Sequence, residues 1–571
     1  FFDIRGNQSA GATNTNNKSI LPWAIGDTNT SSGVGDFFLT ADSAAAGANT
    51  GTNRLRPLAA GEQVTNLSTA NANVNLSTAG NLSSSLVINS LRLAAGGSIA
   101  MTNNSLLTLD SGGLLVTASS SITGNGRLTT TSNRELIIHA LQDLEVAVPI
   151  GGFTGGLTKS GAGTLTLSAI NTYTGPTHIN QGTLKLMADF SVSLNQEMRP
   201  AVGTFLDLNG TVQNFSLLRS DADMAQNDRV RENSGGTVIN TGAAQATLAL
   251  TTASISWAGR IGNDVPAESN IAVYRSTAAN GVTDWNLYSN NTFTGDFLQA
   301  GGRTVLYENS RLSGTTSIEL SQSAMLVHGE NVGSYEINSA LFTDRINDSA
   351  SIFLRGGLLQ YRGRAGMTYT ETVGDLILGH GSSFLDIAEP GTQRNSMEVS
   401  FASLTRQAGS RATLRSLGVD GVIGDAARVF FRAAPTLSDN ILGGWAVVDQ
   451  EFASYTEGMG LGRLNQTGFA GYSPVVDINL GTASDNVRVV LPAAGTTIAL
   501  TGDRTVNTLN LAAAASATAN SVLDLGGNTL TLDAGGLIAA GATNNRAIII
   551  QNGNLTAGAP GVGGDLYLHA L

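Results

Sequence analysis

The chain has no cysteine among its 571 residues. Disulfides, thiolate metal centres and cysteine nucleophiles are therefore excluded. Lysine is nearly absent too, occurring only as Lys18, Lys159 and Lys185. Positive charge rests on arginine and is outweighed, leaving a formal net charge of −12. With no basic stripe anywhere, nucleic acid is not an expected partner. Charged residues make up 13% and aromatics 6%, so any core must be built from small and aliphatic side chains. No run approaches the roughly 18 apolar residues of a membrane-spanning helix. No leader is visible, and Phe1 falls inside a stretch that recurs later, so the ends read as cuts in a longer polypeptide.

What is abundant is glycine, at 69 residues, with serine, threonine, asparagine and alanine around it. Hydrophobic content is 41%, too high for the disordered class. Apolar and polar residues alternate in short runs such as Leu165-Thr-Leu167, Leu184-Lys-Leu186, Leu206-Asp-Leu208, Leu509-Asn-Leu511 and Leu523-Asp-Leu525. Alternation of this kind predicts short strands, and the Gly/Asn/Ser/Thr clusters between them predict turns. Helical stripes are scarce. The Ala-rich stretches Ala41–Ala48 and Ala512–Ala519 are expected to be loops or irregular strand.

A longer self-similarity overlies this pattern. Leu107-Thr-Leu-Asp-Ser-Gly-Gly-Leu114 returns as Leu530-Thr-Leu-Asp-Ala-Gly-Gly-Leu537. Asn89-Ser-Leu-Arg-Leu-Ala-Ala95 returns as Asn507-Thr-Leu-Asn-Leu-Ala-Ala513, and His139-Ala-Leu141 as His569-Ala-Leu571. Phe1-Phe2 matches Phe430-Phe431, and Trp23-Ala-Ile matches Trp445-Ala-Val. Residues 1–430 are therefore expected to be one long solenoid module and 431–571 a partial second copy, equivalent to 1–141 and continuous with the same solenoid. A smaller unit lies within it. Ile88-x-x-Leu91-x-Leu93, Val212-x-x-Phe215-x-Leu217, Val373-x-x-Leu376-x-Leu378 and Val506-x-x-Leu509-x-Leu511 place a branched residue, a bend and two inward aliphatics. At an offset of 120, Asn171-Thr-Tyr-Thr-Gly175 recurs as Asn291-Thr-Phe-Thr-Gly295. The fold these patterns predict is all-β: an elongated parallel β-helix, right-handed, with irregular loops and roughly 22 residues per coil.

One segment points to a family. It runs Lys159-x-Gly161-x-Gly163-Thr-Leu-x-Leu167, then Asn171-Thr-Tyr-Thr-Gly175, Thr177-x-Ile179 and Gly182-Thr-Leu184. Residues 156–186 closely resemble the autotransporter-associated β-strand repeat, or passenger-associated transport repeat, and 285–306 resemble a degenerate copy. Arg345–Leu358, Thr372–Leu378 and Ile441–Ala446 resemble parts of large bacterial surface proteins that carry it. The resemblance implies a parallel β-helix that is exported and exposed at the cell surface. It implies a role in passenger transport and folding rather than a reaction. A chain without cysteine also suits passage through a secretion pore.

The remaining polar residues bear on possible chemistry. The densest cluster runs from Asp221 to Glu232, and Asp221, Asp223 and Asp228 offer oxygen ligands suited to Ca²⁺. A solvated loop leaving the solenoid is the simpler reading. The five histidines, His139, His178, His328, His380 and His569, show no metal-binding spacing. His139 and His569 are equivalent in the two copies, which suits packing better than catalysis. Trp23 and Trp445 are read as corner or core packing, with a sugar platform as the alternative. Tyr173 and Phe293 are expected to cover a coil edge. No P-loop, dinucleotide-binding or Gly-x-Ser-x-Gly motif is present.

The sequence thus predicts a non-catalytic structural segment, extracellular or at the bacterial surface, forming a fibre, stalk or layer with an adhesive or encasing role. Expected partners are further copies of itself in a filament or layer, or surface polysaccharide and other cells. No cofactor is expected apart from the Ca²⁺ candidate. A carbohydrate-active β-helix enzyme, of lyase or hydrolase type, is one alternative. A passive scaffold displaying an effector domain is another.

Overall fold

The structure is a computed structural model. It describes residues 14–571 apart from 28–32, 34, 42–54, 132, 194–195, 221–233, 252–254, 278–282, 308–309, 329–343, 364–368, 389–396, 418–426, 515–516, 541–546 and 559–562. The chain is a parallel β-helix, and its described residues contain strands and short 3-10 turns but no α-helix. It divides into two compact units, residues 1–297 with 310–314, and residues 298–309 with 315–571.

In the first unit each coil contributes one strand to each of two sheets. Leu157–Ser160 lies in one sheet and Thr164–Leu167 in the other; the next coil places Thr177–Ile179 and Thr183–Leu186 beside them. All of these pairings are parallel. The register runs Leu136, Leu157, Thr177, Met198, in steps of 21, 20 and 21 residues. This matches the expected coil length. Leu165, Leu167, Leu184, Leu186, Leu206 and Leu208 are all fully buried, so the alternating leucines form one inward column shared by consecutive coils.

The second unit begins with longer coils. Ser351–Arg355, Leu358–Arg362 and Tyr369–Thr372 are three strands of one coil, and each pairs in parallel with the next coil's strand. Here Ile352 pairs with Leu376 and Leu376 with Leu404, steps of 24 and 28 residues. The extra residues supply a third side. The unit ends in coils with an aliphatic core of Val487, Leu509, Leu523, Leu530 and neighbours.

Three of the four Val/Ile-x-x-Leu-x-Leu segments turn their apolar residues inward as expected. Ile88, Leu91, Leu93, Val373, Leu376, Leu378, Val506, Leu509 and Leu511 are all buried. The Val212 segment differs. Its pairing slips by one residue beside Gln196 and Glu197. Val212 and Leu217 are left half-buried, and Gln213, Phe215 and Leu218 take the inward positions. A bulge reverses the facing of every later side chain in a strand.

The two similar stretches have the same local geometry. Leu106–Val116 pairs first with Arg127–Thr130 and then with Leu136–Ala140. Thr529–Ala540 pairs first with Asn554–Ala557 and then with Tyr567–Ala570. The bend between the halves falls at Gly112, φ +78°, and Gly535, φ +73°. A Cβ at either would lie 2.0 Å from a backbone oxygen, that of Glu135 or Asp565, so both positions require glycine. Each stretch also carries an antiparallel trio. Leu21–Gly26, Phe37–Ala41 and Leu55–Pro57 form one. Ala446–Val448, Glu451–Thr456 and Gly460–Arg463 form the other.

Candidate functional site

The feature with the most built-in specificity is the coil that starts at Leu157. A lysine in a strand followed by two glycines turns inward here, because the chain bends back at Gly161, φ +82°. Lys159 is completely buried. Its ammonium donates to the carbonyl oxygens of Gly161 and Gly163 at 2.5 Å each and to that of Gln181 at 2.7 Å. The three acceptors match the three protons of the head group. Burial lowers its pKa to about 8, and Asp143 acts in the opposite direction. The second unit has a neutral counterpart. Gln299 Nε2 donates to Gly302 O at 2.9 Å and Ala324 O at 3.1 Å, with a longer approach to Gly301 O at 3.3 Å.

Twelve residues on, the corner asparagine spans three coils. Asn171 Oδ1 accepts from Ile150 N–H at 2.7 Å, in the coil before. Its Nδ2 donates to Ala169 O at 3.0 Å and to Ser191 O at 2.6 Å, in the coil after. Ser191 N–H in turn donates to Gln213 Oε1 at 3.1 Å. Asn291 repeats the arrangement, accepting from Ile261 N–H at 3.1 Å and donating to Ser289 O at 2.8 Å and Arg311 O at 3.4 Å. Ile150 N–H finds its acceptor in the amide, Ser191 O is shared between the amide and the Asn171 N–H at 3.0 Å, and a primary amide can serve both kinds of backbone group at once.

Tyr173 and Phe293 do not cover a coil edge. Both are buried, at 0% and 1% exposure. Tyr173 stacks on Phe153 at 5.8 Å and shares a hydrogen bond with Thr177 Oγ1 at 2.7 Å. Phe293 lies 6.3 Å from Phe297. Small residues at the turns leave room for the ring to enter the core.

An asparagine ladder lies inside the strands of both stretches. Asn89 Nδ2 and Ser90 Oγ both donate to Asn73 Oδ1 at 2.7 Å. Asn507 Nδ2 and Thr508 Oγ1 both donate to Asn486 Oδ1, at 2.8 and 2.7 Å. The two histidines are alike as well. His139 Nε2–H donates to Pro22 O at 2.9 Å and meets Phe38 edge-on. His569 Nε2–H donates to Gly444 O at 2.8 Å and meets Phe452 edge-on. Burial lowers the pKa of both. The tryptophans differ. Trp23 is 56% exposed rather than packed. Trp445 is half-buried, with the Arg406 guanidinium 5.9 Å from its ring centre.

Sequence reasoning missed one polar centre, in the second unit. Glu371 is buried and accepts from Arg345 N–H at 3.1 Å and Ile346 N–H at 2.8 Å. Burial raises its pKa to about 8, against those two N–H groups and the Arg345 charge. It lines a small cavity with Val327, Arg345, Tyr361, Tyr369 and Val399. The acidic residues on the neighbouring strands are spent on arginines: Glu319 on Arg355, Asp386 on Arg362, each at 2.8 Å, and Glu398 on Arg428. Asp221, Asp223 and Asp228 lie outside the described residues. Among the described residues no group of three or more His, Asp or Glu could hold a metal ion, and no helix is long and apolar enough to cross a membrane.

Stacked parallel coils joined by buried amide, ammonium and imidazole groups place the protein among the β-solenoids. Residues 157–186 match the passenger-associated-transport-repeat family, the one indicated by the Lys159 to Leu184 pattern. No curated protein and no solved structure matches the chain.

Proposed function

We propose that this chain is a structural segment of an exported β-solenoid that forms a fibre, stalk or layer on a bacterial surface and serves adhesion or encasement. The observation that carries the reading is the recurrence of one buried framework. The Asn73/Asn89/Ser90 and Asn486/Asn507/Thr508 networks, the Gly112 and Gly535 bends, and the His139 and His569 contacts have the same geometry. What recurs is packing and backbone satisfaction, as in an array whose length is its function. On this reading residues 1–430 are one module and 431–571 part of the next. The transport repeat at 157–186 supports export and surface exposure, and its family is associated with passengers rather than with a reaction.

Electron microscopy of cell surfaces before and after deletion of the gene tests this proposal. Loss or shortening of a surface fibre or layer is expected. An unchanged surface overturns it. The alternative of a carbohydrate-active β-helix rests on the Glu371 cavity. It requires that polysaccharide cleavage by the purified chain be lost in Glu371→Gln.

A further inference from the structure

The two antiparallel trios are alike except at one edge. In the second unit Ala446–Val448 is not an edge strand. It pairs in parallel with Thr413–Leu417, in the register Leu414↔Ala446, Arg415↔Val447, Ser416↔Val448. Leu414 N–H donates to Trp445 O at 3.0 Å. The preceding strand, Leu404–Arg406, brings Arg406 over the Trp445 ring. Arg406 Nη2 also donates to Tyr567 Oη at 2.7 Å. It lies 3.8 Å from Asp565, which Arg411 approaches at 3.6 Å.

In the first unit the corresponding strand is Leu21–Gly26. Among the described residues it pairs only with Phe37–Ala41, so its other edge has no strand beside it. Trp23, the counterpart of Trp445, is 56% exposed. The His139-to-His569 correspondence places Glu135 where Asp565 stands and Ile137 where Tyr567 stands. Glu135 is exposed. By this correspondence a strand edge unpaired among the described residues, an exposed indole and a carboxylate occupy equivalent positions. Each matches a group that is covered by residues 404–417 in the second unit.

We propose that the Leu21–Gly26 edge, Trp23 and Glu135 form the docking surface for the 404–417 segment of another copy of this module. The incoming strand would pair in the register seen at Ala446–Val448, setting Leu414 opposite Ala24, Arg415 opposite Ile25 and Ser416 opposite Gly26. Its Arg406 covers the Trp23 ring, and Arg406 and Arg411 face Glu135. Pairing satisfies the backbone edge, and the arginines supply charge complementarity and a cation–π contact. This chain's own 404–417 segment already carries Ala446–Val448, so the donor is a module whose 404–417 edge is free. The joint is head-to-tail and extends the array by one module without a new kind of contact. The inference rests on the modular reading above, but it concerns a contact in the purified protein and stands or falls apart from what is seen on cells.

The test is indole oxidation followed by peptide mass spectrometry. In the chain as it is, Trp23 is expected to be modified readily and Trp445 to be protected. Residues 1–429 are then placed directly before Phe1, with the leading copy's Trp23 changed to Phe so that the trailing Trp23 is unique. Protection of that Trp23 to the level of Trp445 supports the proposal. Trp23 reacting as fast as in the single chain, while Trp445 in the same molecule stays protected, overturns it. A second measurement needs no added module. Arg406→Ala in the single chain is expected to raise the reactivity of Trp445 towards that of Trp23. Unchanged protection of Trp445 overturns the role given to the incoming arginine.

Discussion

Lys159 Nζ lies 2.7 Å from the carbonyl oxygen of Gln181, one coil further along the first unit. The lysine therefore joins two coils through a charge that water never reaches. Replacing it by methionine keeps the aliphatic stem but takes a donor from three inward carbonyls, leaving Gly163 O only a long contact from Thr183 N–H at 3.5 Å. Each orphaned acceptor costs about 1–3 kcal/mol. Lys159→Met is expected to destabilise the first unit by a few kcal/mol, and Lys159→Gln by less, since Gln299 makes the corresponding contacts as a neutral amide. Denaturant titration, followed by hydrogen exchange at Leu157–Ser160, checks both. Equal stability of the two variants would remove the carbonyl cage as the cause.

The same burial makes a prediction about reactivity. Lys159 is fully buried and Lys18 is 7% exposed, whereas the Lys185 side chain is 27% exposed beside Asp207 at 3.4 Å. Acylation of the native protein by an amine-reactive ester should label Lys185 and leave Lys159 unmodified until the unit unfolds. These are the only lysines in the chain, so a peptide map reads the outcome directly. Labelling of Lys159 at the rate of Lys185 would contradict its burial.

Asn171 offers a sharper test of the corner. Asn171→Ala removes an acceptor for Ile150 N–H and a donor to Ser191 O. A loss of about 1–3 kcal/mol is expected, because Ile150 N–H stays buried without its acceptor while Ser191 O keeps the backbone N–H of residue 171. Asn171→Asp keeps the acceptor but brings a buried charge against two carbonyls, so it should be the worse variant. In the second repeat the Asn291 contacts are longer, with Arg311 O at 3.4 Å. Asn291→Ala should therefore cost less than Asn171→Ala. Thermal unfolding of the variants settles the order, and a larger loss at Asn291 would reject this account.

Much of this architecture could be read from residue order, because a solenoid writes its contacts locally. The leucine alternation named the inward column before any strand was seen. Lys159, Gly161, Gly163 and Asn171 marked the transport repeat by spacing alone. Their roles were not legible, because a lysine among polar residues looks like a solvated one unless the turn that folds over it is known. The slip between Phe215 and Leu217 was hidden for a related reason: one bulged residue exchanges the two faces from there on without altering the composition. Glu371 gave no signal, since its burial depends in part on Val327, Arg345 and Val399, each more than 20 positions away. Trp23 and Trp445 are each followed by alanine and a branched aliphatic residue, and this shared pattern did not distinguish exposed from covered.

Glu371 also governs a pH dependence whose sign is unusual for a carboxylate. Its pKa is raised by burial to about 8 in the folded chain, while an unfolded glutamate titrates near 4.3. Between these values the unfolded chain is ionised and the folded chain holds the proton. The contribution to stability is thus fully present below about pH 4.3 and is lost as pH rises towards 8, by at most about 1.4 kcal/mol per pH unit. Glu371→Gln removes the charge and keeps one of the two oxygens that accept from the N–H groups of Arg345 and Ile346. The variant should gain stability relative to the parent as pH rises from 4 to 8, on top of a constant cost for the lost acceptor. Urea midpoints of the second unit across this range, parent against variant, measure the difference. A parent that gains stability relative to Glu371→Gln as pH rises would reverse the sign and show that Glu371 folds as the carboxylate, held by Arg345.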